Sequence, residues 1–305
     1  MSHYPVMLSE VLETLCPVDG GIYVDGTFGA GGYTKAILDA ADCTVVAIDR
    51  DPDAQKRADE INNDRLVFIR GCFGDVEALL AEAGIQKVDG FVLDLGVSSF
   101  QLDEAERGFS FRLDAPLDMR MDNQSGQSAA DLVNNSDEKE LADLIYQYGE
   151  ERKSRRIARK IIEARKEVPI KTTFELADIV RSCVAKSRDG IDPATRTFQA
   201  LRIAVNDELG ELERALASAE NVLKSDGKMV VVSFHSLEDG LVKRFFREKS
   251  GGAGQSRYQP EVKAAPDAFK VLNRKAIKPS GKELSENSRS RSARLRAVQY
   301  IGGVS

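Results

Sequence analysis

Glycines and an acidic residue form a tight cluster near the start of the chain. Residues 25–32 read Asp-Gly-Thr-Phe-Gly-Ala-Gly-Gly, and the run from Gly21 to Asp25 that leads into them predicts a buried strand. A glycine-rich turn between a first strand and a helix lets the backbone approach a ligand with no Cβ in the way. Such a turn serves either a dinucleotide or S-adenosylmethionine, so the glycines alone do not identify the ligand.

The spacing of the glycines and the charge beside them favour one of these ligands. The dinucleotide fingerprint is G-x-G-x-x-G, whereas the stretch that begins at Gly29 offers Thr34 where the third small residue is expected. Asp25 ends the strand just before the turn, where its charge would repel a pyrophosphate and attract a cationic methionyl amine or sulfonium. The loop therefore predicts S-adenosylmethionine rather than NAD as the cofactor.

Three further residues lie at or just beyond the carboxyl ends of predicted strands, where α/β sheets bind ligands. Asp49 ends the second strand, and its carboxylate is suited to accept both hydroxyls of a ribose. The alternative for Asp49 is an ordinary turn residue in the sequence Asp-Arg-Asp-Pro. Phe73, after the third strand, is expected beside the adenine, and Asp94, which ends the fourth, beside the transferred methyl group.

Strand-like and helix-like segments alternate over the first third of the chain, which predicts an α/β fold with a parallel sheet wrapped by helices. The predicted strands are Gly21 to Asp25, Thr44 to Asp49, Leu66 to Arg70, Val88 to Asp94, Lys228 to Phe234 and Leu295 to Ile301. The segment from Ser128 to Lys224 is instead helical, ending in one long run from Ala194. We predict a Rossmann-like class I methyltransferase domain at 1–111 and 207–305, with an inserted all-helical domain at 112–206.

The composition is that of a soluble globular protein. The chain is 42% hydrophobic and 30% charged and has no long apolar run, so no membrane segment is expected. Its start lacks the pattern of a signal peptide, which predicts a cytoplasmic protein. The four cysteines are widely scattered and only two histidines are present, which argues against a disulfide framework and against a metal site.

Positive charge is concentrated in two segments of an otherwise acidic chain. The net charge of −6 argues against general nucleic-acid binding, which depends on an excess of lysine and arginine. Residues 152–166 nevertheless hold eight basic residues against one acidic residue, and residues 270–296 hold nine against two. Each segment is either a phosphate-binding surface or a solvated face, and composition alone leaves both interpretations open.

Several longer motifs closely resemble one family of enzymes. They are Val24 to Gly29, Leu93 to Ser99, Glu106 to Phe111, Pro116 to Asp122, Tyr148 to Arg152, Ala194 to Ala200 and Ser233 to Asp239. Together they resemble the bacterial small-subunit ribosomal RNA cytosine-N4 methyltransferase family, over a stretch from His3 to Ser292. The resemblance implies methyl transfer from S-adenosylmethionine to the exocyclic amine of one cytidine in the decoding region of 16S rRNA. It also implies cofactor contacts from Gly31, Gly32, Tyr33, Asp49, Phe73, Asp94 and Gln101.

The chain departs from the pattern of that family at two positions. Tyr33 stands where the family usually has histidine, and Asp192 stands at another position where histidine is common. Tyr33 still offers a hydroxyl and a backbone for cofactor contact, so cofactor binding is expected to survive. Asp192 removes a hydrogen-bond donor from the edge of the insertion, which weakens the expectation that this edge contacts RNA.

The amine of cytosine is a poor nucleophile because its lone pair is delocalised into the ring. A site that methylates this amine needs acceptors for its hydrogens and must hold it in line with the methyl donor. Asp94 is the first candidate acceptor, followed by Asp118 and His235. For Asp118 the alternative is an ion pair with Arg112 or Arg120 that fixes a loop. For His235 the alternative is a packed histidine at the end of a strand.

An RNA substrate would give the two basic segments a purpose, because phosphates attract lysine and arginine. The proposed phosphate contacts are Arg152, Lys153, Arg155, Arg156, Arg159, Lys160, Arg289, Arg291, Arg294 and Arg296. The expected partner is 16S rRNA within the small ribosomal subunit, with no membrane and no DNA, and a homodimer is left open. Three other interpretations compete: a nicotinamide oxidoreductase, a non-catalytic ribosome-assembly factor, and a methyltransferase that acts on DNA or protein, which only the resemblance disfavours.

Overall fold

The structure is a computed structural model that describes residues 5–185, 190–251 and 267–302. His3, where the family resemblance begins, lies outside the described residues. The chain divides into two compact units, one formed by Met1–Gly96 with Leu209–Ser305 and the other by Val97–Glu208. None of the helices in the described part of the chain combines the length and apolar character that a membrane span requires.

The first unit is built on a seven-stranded sheet. Its strands are β1 Ile22–Asp25, β2 Thr44–Asp49, β3 Leu66–Arg70, β4 Val88–Asp94, β5 Leu223–Ser233, β6 Phe269–Val271 and β7 Arg294–Tyr300. The strand order is β3-β2-β1-β4-β5-β7-β6. The pairings among β1 to β5 are parallel, whereas β7 runs antiparallel to both β5 and β6. This sheet confirms the predicted class I methyltransferase fold.

Helices cover both faces of the sheet, so its central strands carry buried apolar runs such as Phe91–Leu93 in β4 and Met229–Val232 in β5. The helices of the described residues, of which α5 to α10 belong to the second unit, are α1 Leu8–Leu15, α2 Gly32–Ala40, α3 Ala54–Asp59, α4 Val76–Glu82, α5 Ser99–Asp103, α6 Ala129–Asn135, α7 Glu138–Gly149, α8 Ser154–Glu167, α9 Thr173–Cys183, α10 Ala194–Asn206, α11 Glu208–Val222, α12 Ser236–Lys249 and α13 Gly281–Glu286. Tyr23 and Val45 pack with α1 and α2, whereas Val24 and Val46 pack with α4, α11 and α12. Successive residues therefore face opposite sides of the sheet, which leaves its carboxyl edge for polar groups.

The second unit is helical and has its own apolar core, formed by α6 to α10. Phe109 and Leu117, from the segment that precedes α6, are buried in that core, and Leu102 packs against it. The unit therefore begins at Val97, earlier than the boundary between 111 and 112 that the sequence suggests. The end of the unit at Glu208 lies close to the predicted boundary between 206 and 207.

The single long helix predicted from Ala194 to Lys224 is wrong, because the chain forms two helices there. Asp207 separates α10 from α11 and has a φ of 49°, in the left-handed region. A left-handed residue cannot continue a right-handed helix. The predicted closing strand is confirmed as β7, whereas the three-residue strand β6 was not predicted.

Candidate cofactor-binding and catalytic site

The glycine-rich turn between β1 and α2 requires glycine for two separate reasons. Gly29 and Gly31 have φ values of 53° and 75°, which glycine adopts without strain. A Cβ added to Gly31 would lie only 2.8 Å from the ring of Phe28. The backbone N–H of Gly29 donates to Asp49 Oδ2 at 2.7 Å, and Arg57 Nε donates to the Gly29 carbonyl at 2.7 Å. The turn is therefore held to the end of β2.

Asp25 is used inside this turn. Its side chain is fully buried and accepts from the Thr34 hydroxyl at 2.7 Å and from the N–H groups of Thr34 and Thr27, each at 3.2 Å. Burial raises the pKa of Asp25 to about 6. These partners show that Asp25 braces the loop, and its attraction of a cationic ligand group stays a prediction. Thr34 replaces the third glycine because its hydroxyl is part of that brace.

Asp49 and Phe73 lie at the carboxyl ends of adjacent strands, as predicted. Asp49 accepts from the N–H groups of Gly29 and, at 2.9 Å, Asp51, and burial raises the pKa of Asp49. Phe73 begins a short 3₁₀ turn after β3, and its Cβ would lie 3.2 Å from a Cβ added to Gly26. The side chain of Phe73 therefore begins close to the backbone of the β1 turn.

Asp94 ends β4 and differs from the other acids of this edge. Its N–H donates to the Thr27 hydroxyl at 2.7 Å, which fixes the backbone. Its Oδ1 is inaccessible to solvent and has no hydrogen-bond partner among the described residues. Burial raises the pKa of Asp94 well above its usual range, and the charge of Asp25 raises it further. An unsatisfied buried carboxylate oxygen is costly and fits a site that receives a hydrogen-bond donor or a cation.

His235 caps helix α12. Its Nδ1 accepts from the N–H of Glu238 at 3.4 Å, while Glu238 Oε2 accepts from the N–H groups of His235 and Phe234. His235 Nε2 lies 3.0 Å from Glu238 Oε1, at an angle that does not make a hydrogen bond. The histidine is therefore fixed at the carboxyl end of β5, and a catalytic action of His235 stays a prediction.

Gln101 and Asp118 belong to the helical unit, where both have structural partners. Gln101 is buried, and its side chain accepts from the N–H of Ser98 at 3.1 Å in a reciprocal cap of α5. Asp118 accepts two hydrogen bonds from the Arg120 guanidinium, at 2.9 and 2.7 Å. The structure thus contains the loop-fixing ion pair considered for Asp118, formed with Arg120. Cofactor contact by Gln101 and catalysis by Asp118 stay predictions.

The two residues that depart from the family pattern are both engaged within the protein. Tyr33 is buried, and its hydroxyl donates to the Val6 carbonyl at 2.5 Å. A Cβ added to neighbouring Gly32 would collide with the ring of Pro5. The Tyr33 hydroxyl is therefore occupied by the N-terminal segment, so only the Tyr33 backbone stays a candidate cofactor contact. Asp192 accepts from Arg181 at 3.0 Å and from the N–H of Ala194 at 2.9 Å.

The basic residues of α8 and the turn before it lie on the surface. Arg152, Lys153, Arg155, Arg156, Arg159 and Lys160 are all exposed. Arg159 pairs with Glu138 at 3.6 Å, and Lys160 pairs with Glu163 at 2.7 Å. The other four make no ion pair with any described residue. These four cations are available to a ligand.

The second basic segment, residues 270–296, contains both exposed and buried arginines. Arg289, Arg291 and Arg294 are exposed, but Arg296 is 9% exposed and lies in β7. Arg296 donates to both carboxylate oxygens of Asp239, at 2.7 and 3.1 Å, and thereby joins β7 to α12. Because a phosphate contact would break this buried ion pair, the prediction for Arg296 is corrected.

Sequence reasoning missed three residues that shape this site. Thr27 accepts from the backbone of Asp94, Thr34 braces Asp25, and Glu238 orients His235. The spacing His235-x-x-Glu238 is that of a reciprocal helix cap and predicts this pairing. Nothing in the spacing of Thr27 points to Asp94, because the two lie on different strand ends.

The profile of the MraW methylase family matches residues 1–301. The chain belongs to the MraW methylase family. It is 57% identical over 306 residues to the Ribosomal RNA small subunit methyltransferase H of Rhodospirillum rubrum, covering 97% of this chain and 94% of that protein. It is 54% identical over 305 residues to the protein of the same name from Rickettsia bellii, covering 98% and 99% of the two chains.

Membership of this methylase family decides between the two cofactors that the glycine turn leaves open. The cofactor is S-adenosylmethionine, and the nicotinamide oxidoreductase interpretation is wrong. The buried, unpaired Oδ1 of Asp94 suits a site that receives an amine and a positively charged ligand. The residues present therefore fit this cofactor.

Proposed function

We propose that this protein transfers a methyl group from S-adenosylmethionine to the N4 amine of one cytidine in the decoding region of 16S rRNA. Relatives that are 54–58% identical over nearly their whole lengths bear the name Ribosomal RNA small subunit methyltransferase H, which supports small-subunit rRNA as the substrate. The observation in this chain that carries the proposal is the buried, unpaired Oδ1 of Asp94. A methylated amine must give up a proton, and this oxygen is the acceptor.

The cofactor supplies an electrophilic methyl group on a sulfonium. The backbone of Gly31 and Gly32 would approach it, the carboxylate of Asp49 would accept from the ribose hydroxyls, and Phe73 would pack beside the adenine. Asp49 already accepts from two backbone N–H groups, which fixes the orientation of its carboxylate and leaves further lone pairs. The adenosyl group is thus assigned to the loops after β2 and β3.

Asp94 is the proposed proton acceptor. A raised pKa makes its carboxylate a stronger base than an exposed aspartate, and the missing partner leaves Oδ1 ready to accept from an amine. His235 is the second candidate because Glu238 fixes its ring at the end of the neighbouring strand. Asp118 ranks third, since its carboxylate is already engaged by Arg120.

We assign the phosphate contacts to the exposed arginines and lysines of the two basic segments. Arg152, Lys153, Arg155 and Arg156 lead, because no described acidic side chain neutralises them. Arg159 and Lys160 have acidic neighbours and would contribute less. Arg289, Arg291 and Arg294 complete the set, and Arg294 would contribute less because its guanidinium lies 3.5 Å from Asp239 Oδ2.

The proposal is tested by transfer of a radiolabelled methyl group to isolated small subunits, free 16S rRNA and tRNA in parallel. We expect label in the small subunit or its rRNA, with mass spectrometry identifying N4-methylated cytidine. Label at another base or only in tRNA would contradict the proposed substrate. Absence of transfer to every substrate, with cofactor binding intact, would favour the assembly-factor interpretation.

The phosphate contacts are tested by reversing two charges on α8, with Arg155→Glu and Arg156→Glu combined. Binding of small-subunit RNA should weaken, and the logarithmic salt dependence of the affinity should fall by about one phosphate per reversed residue. Lys56→Glu combined with Lys139→Glu is the control, because it changes net charge equally at exposed positions outside both segments. Equal losses of RNA affinity in the two double variants would show that the effect comes from net charge and not from contacts of α8 with phosphates.

Two further predictions accompany the proposal. A ribosomal RNA substrate implies a cytoplasmic location, which fractionation of cells would test. The homodimer also stays a prediction, and analytical ultracentrifugation of the purified protein would decide it.

A further inference from the structure

The loops that follow β2 and β3 are joined by one buried carboxylate. Arg50, next to Asp49, donates through Nη2 to Glu211 Oε1 at 2.8 Å and to the thiol of Cys72 at 2.8 Å. The N–H of Gly74, next to Phe73, donates to Glu211 Oε2 at 2.9 Å. Each oxygen of Glu211 thus binds a different loop.

Glu211 is placed for this task by helix α11. The residue is buried, and Arg214, one turn further along the helix, pairs with its Oε1 at 2.9 Å. A buried carboxylate requires compensating donors, and these come from both loops and from its own helix.

The lack of a side chain at Gly74 permits the close approach of Glu211. A Cβ at position 74 would collide with Glu211 Oε2 and would lie 3.0 Å from the Glu211 backbone oxygen. Gly74 does not have a positive φ, so its backbone conformation does not demand glycine. The glycine is there because the carboxylate occupies the space.

We propose that Glu211 is a positioning residue that sets the spacing between the ribose-binding and adenine-binding loops. The inference rests on the proposed placement of the adenosyl group at Asp49 and Phe73. Without the bridge the two loops would keep the Arg50–Cys72 contact and the Gly71 N–H to Asp49 carbonyl bond but would lose their anchor at Gly74. Part of the binding free energy would then be spent on ordering the loops. Because the adenosyl group is common to cofactor and product, S-adenosylmethionine and S-adenosylhomocysteine should lose affinity equally. The methyl-transfer step uses other residues, so kcat should change little.

The first test is Glu211→Gln in the full-length protein, which keeps the shape and removes the charge. Calorimetry should show both ligands binding on the order of tenfold more weakly, and KM for the cofactor should rise by a similar factor while kcat stays within twofold. Glu213→Gln is the matched control, because Glu213 lies on the exposed side of the same helix. Unchanged affinity in a folded Glu211→Gln variant would overturn the inference, as would a fall in kcat with unchanged KM.

Gly74→Ala provides a second approach that leaves the carboxylate in place. The added Cβ should displace Glu211, so S-adenosylmethionine and S-adenosylhomocysteine should both bind more weakly, by the same factor. This variant tests the role of Glu211 if Glu211→Gln does not fold. Unchanged affinity in this variant also counts against the inference. Asp49→Ala tests the placement of the adenosyl group separately from the role of Glu211. Unchanged cofactor affinity in Asp49→Ala would reject that placement. If cofactor binding weakens in Asp49→Ala but not in Glu211→Gln or Gly74→Ala, the positioning role of Glu211 is rejected and the placement of the adenosyl group stands.

Discussion

Asp25 and Asp94 end neighbouring strands of the same sheet, yet they are used in opposite ways. Asp25 is opposite Val92 in the register of β1 and β4, so Asp94 lies two residues further along, about 6–7 Å beyond it. Asp25 accepts three hydrogen bonds from its own loop, whereas Asp94 Oδ1 has no partner among the residues described. The acid with complete partners supports the structure, and the acid that lacks a partner is the one to expect at a ligand.

The largest expected effect is that of Asp94→Asn on methyl transfer. The change preserves shape but removes the proton acceptor, so the rate should fall by about 10²- to 10⁴-fold in the radiolabel assay. Urea unfolding should show equal or higher stability, because an unpaired buried charge is no longer present. Asp64→Asn, at an exposed position, serves as the control. A rate within tenfold of the wild type would remove Asp94 from the chemistry.

Asp25→Asn should lower the stability of the protein and leave methyl transfer nearly unchanged, the opposite of Asp94→Asn. An amide cannot accept from all three donors, so the free energy of unfolding should fall by about 1–3 kcal/mol. At saturating cofactor, methyl transfer should stay within tenfold of wild type. Urea denaturation at pH 7, with activity assayed in parallel, measures both quantities. A large loss of methyl transfer with unchanged stability would contradict the assignment of a structural role to Asp25 and a catalytic role to Asp94.

The pH dependence of stability sharpens the same contrast. The pKa of Asp25 is about 6 in the folded protein and about 3.9 in an unfolded chain. The folded state therefore binds more protons between these values, and the contribution of Asp25 to stability increases as pH falls through 6 toward 4. The deficit of Asp25→Asn relative to wild type should grow over this window, by at most about 1.4 kcal/mol per pH unit. A deficit that shrinks on acidification would show that the folded pKa is not raised.

The smallest expected effect is that of Thr34→Val. It removes only the hydroxyl that donates to Asp25 and keeps the side-chain volume, so stability should fall by about 1 kcal/mol. Thr34→Ser retains the hydroxyl and is the matched control. Thermal unfolding of the two variants gives the comparison, and equal losses would assign the effect to packing rather than to the hydrogen bond.

Strand ends and the glycine turn were predictable from the sequence because their signals are local. Apolar runs mark β1 to β4, and the acids that end them fall where parallel strands share an edge. Fold class and cofactor follow from this pattern together with the family resemblance. The break at Asp207 was missed because helical periodicity continues across it, while one residue in the left-handed region ends the helix.

The partners of charged residues were not predictable in the same way. The segments 152–166 and 270–296 have equal excesses of positive charge, but α8 exposes its cations and Arg296 is buried against Asp239. Asp25 also looked available until its partners within the turn were known. Net charge describes a segment, whereas availability depends on contacts that only the folded chain defines.

The position of β7 has a consequence for synthesis of the chain. It pairs with β5 on one side and β6 on the other, although it follows both of them in the sequence. Pairing between segments far apart in sequence forms late, because loop closure must precede it. Until residue 300 has emerged, β5 is an apolar edge strand without its outer neighbour, which is a template for aggregation. Deletion of residues 294–300 would make that transient state permanent.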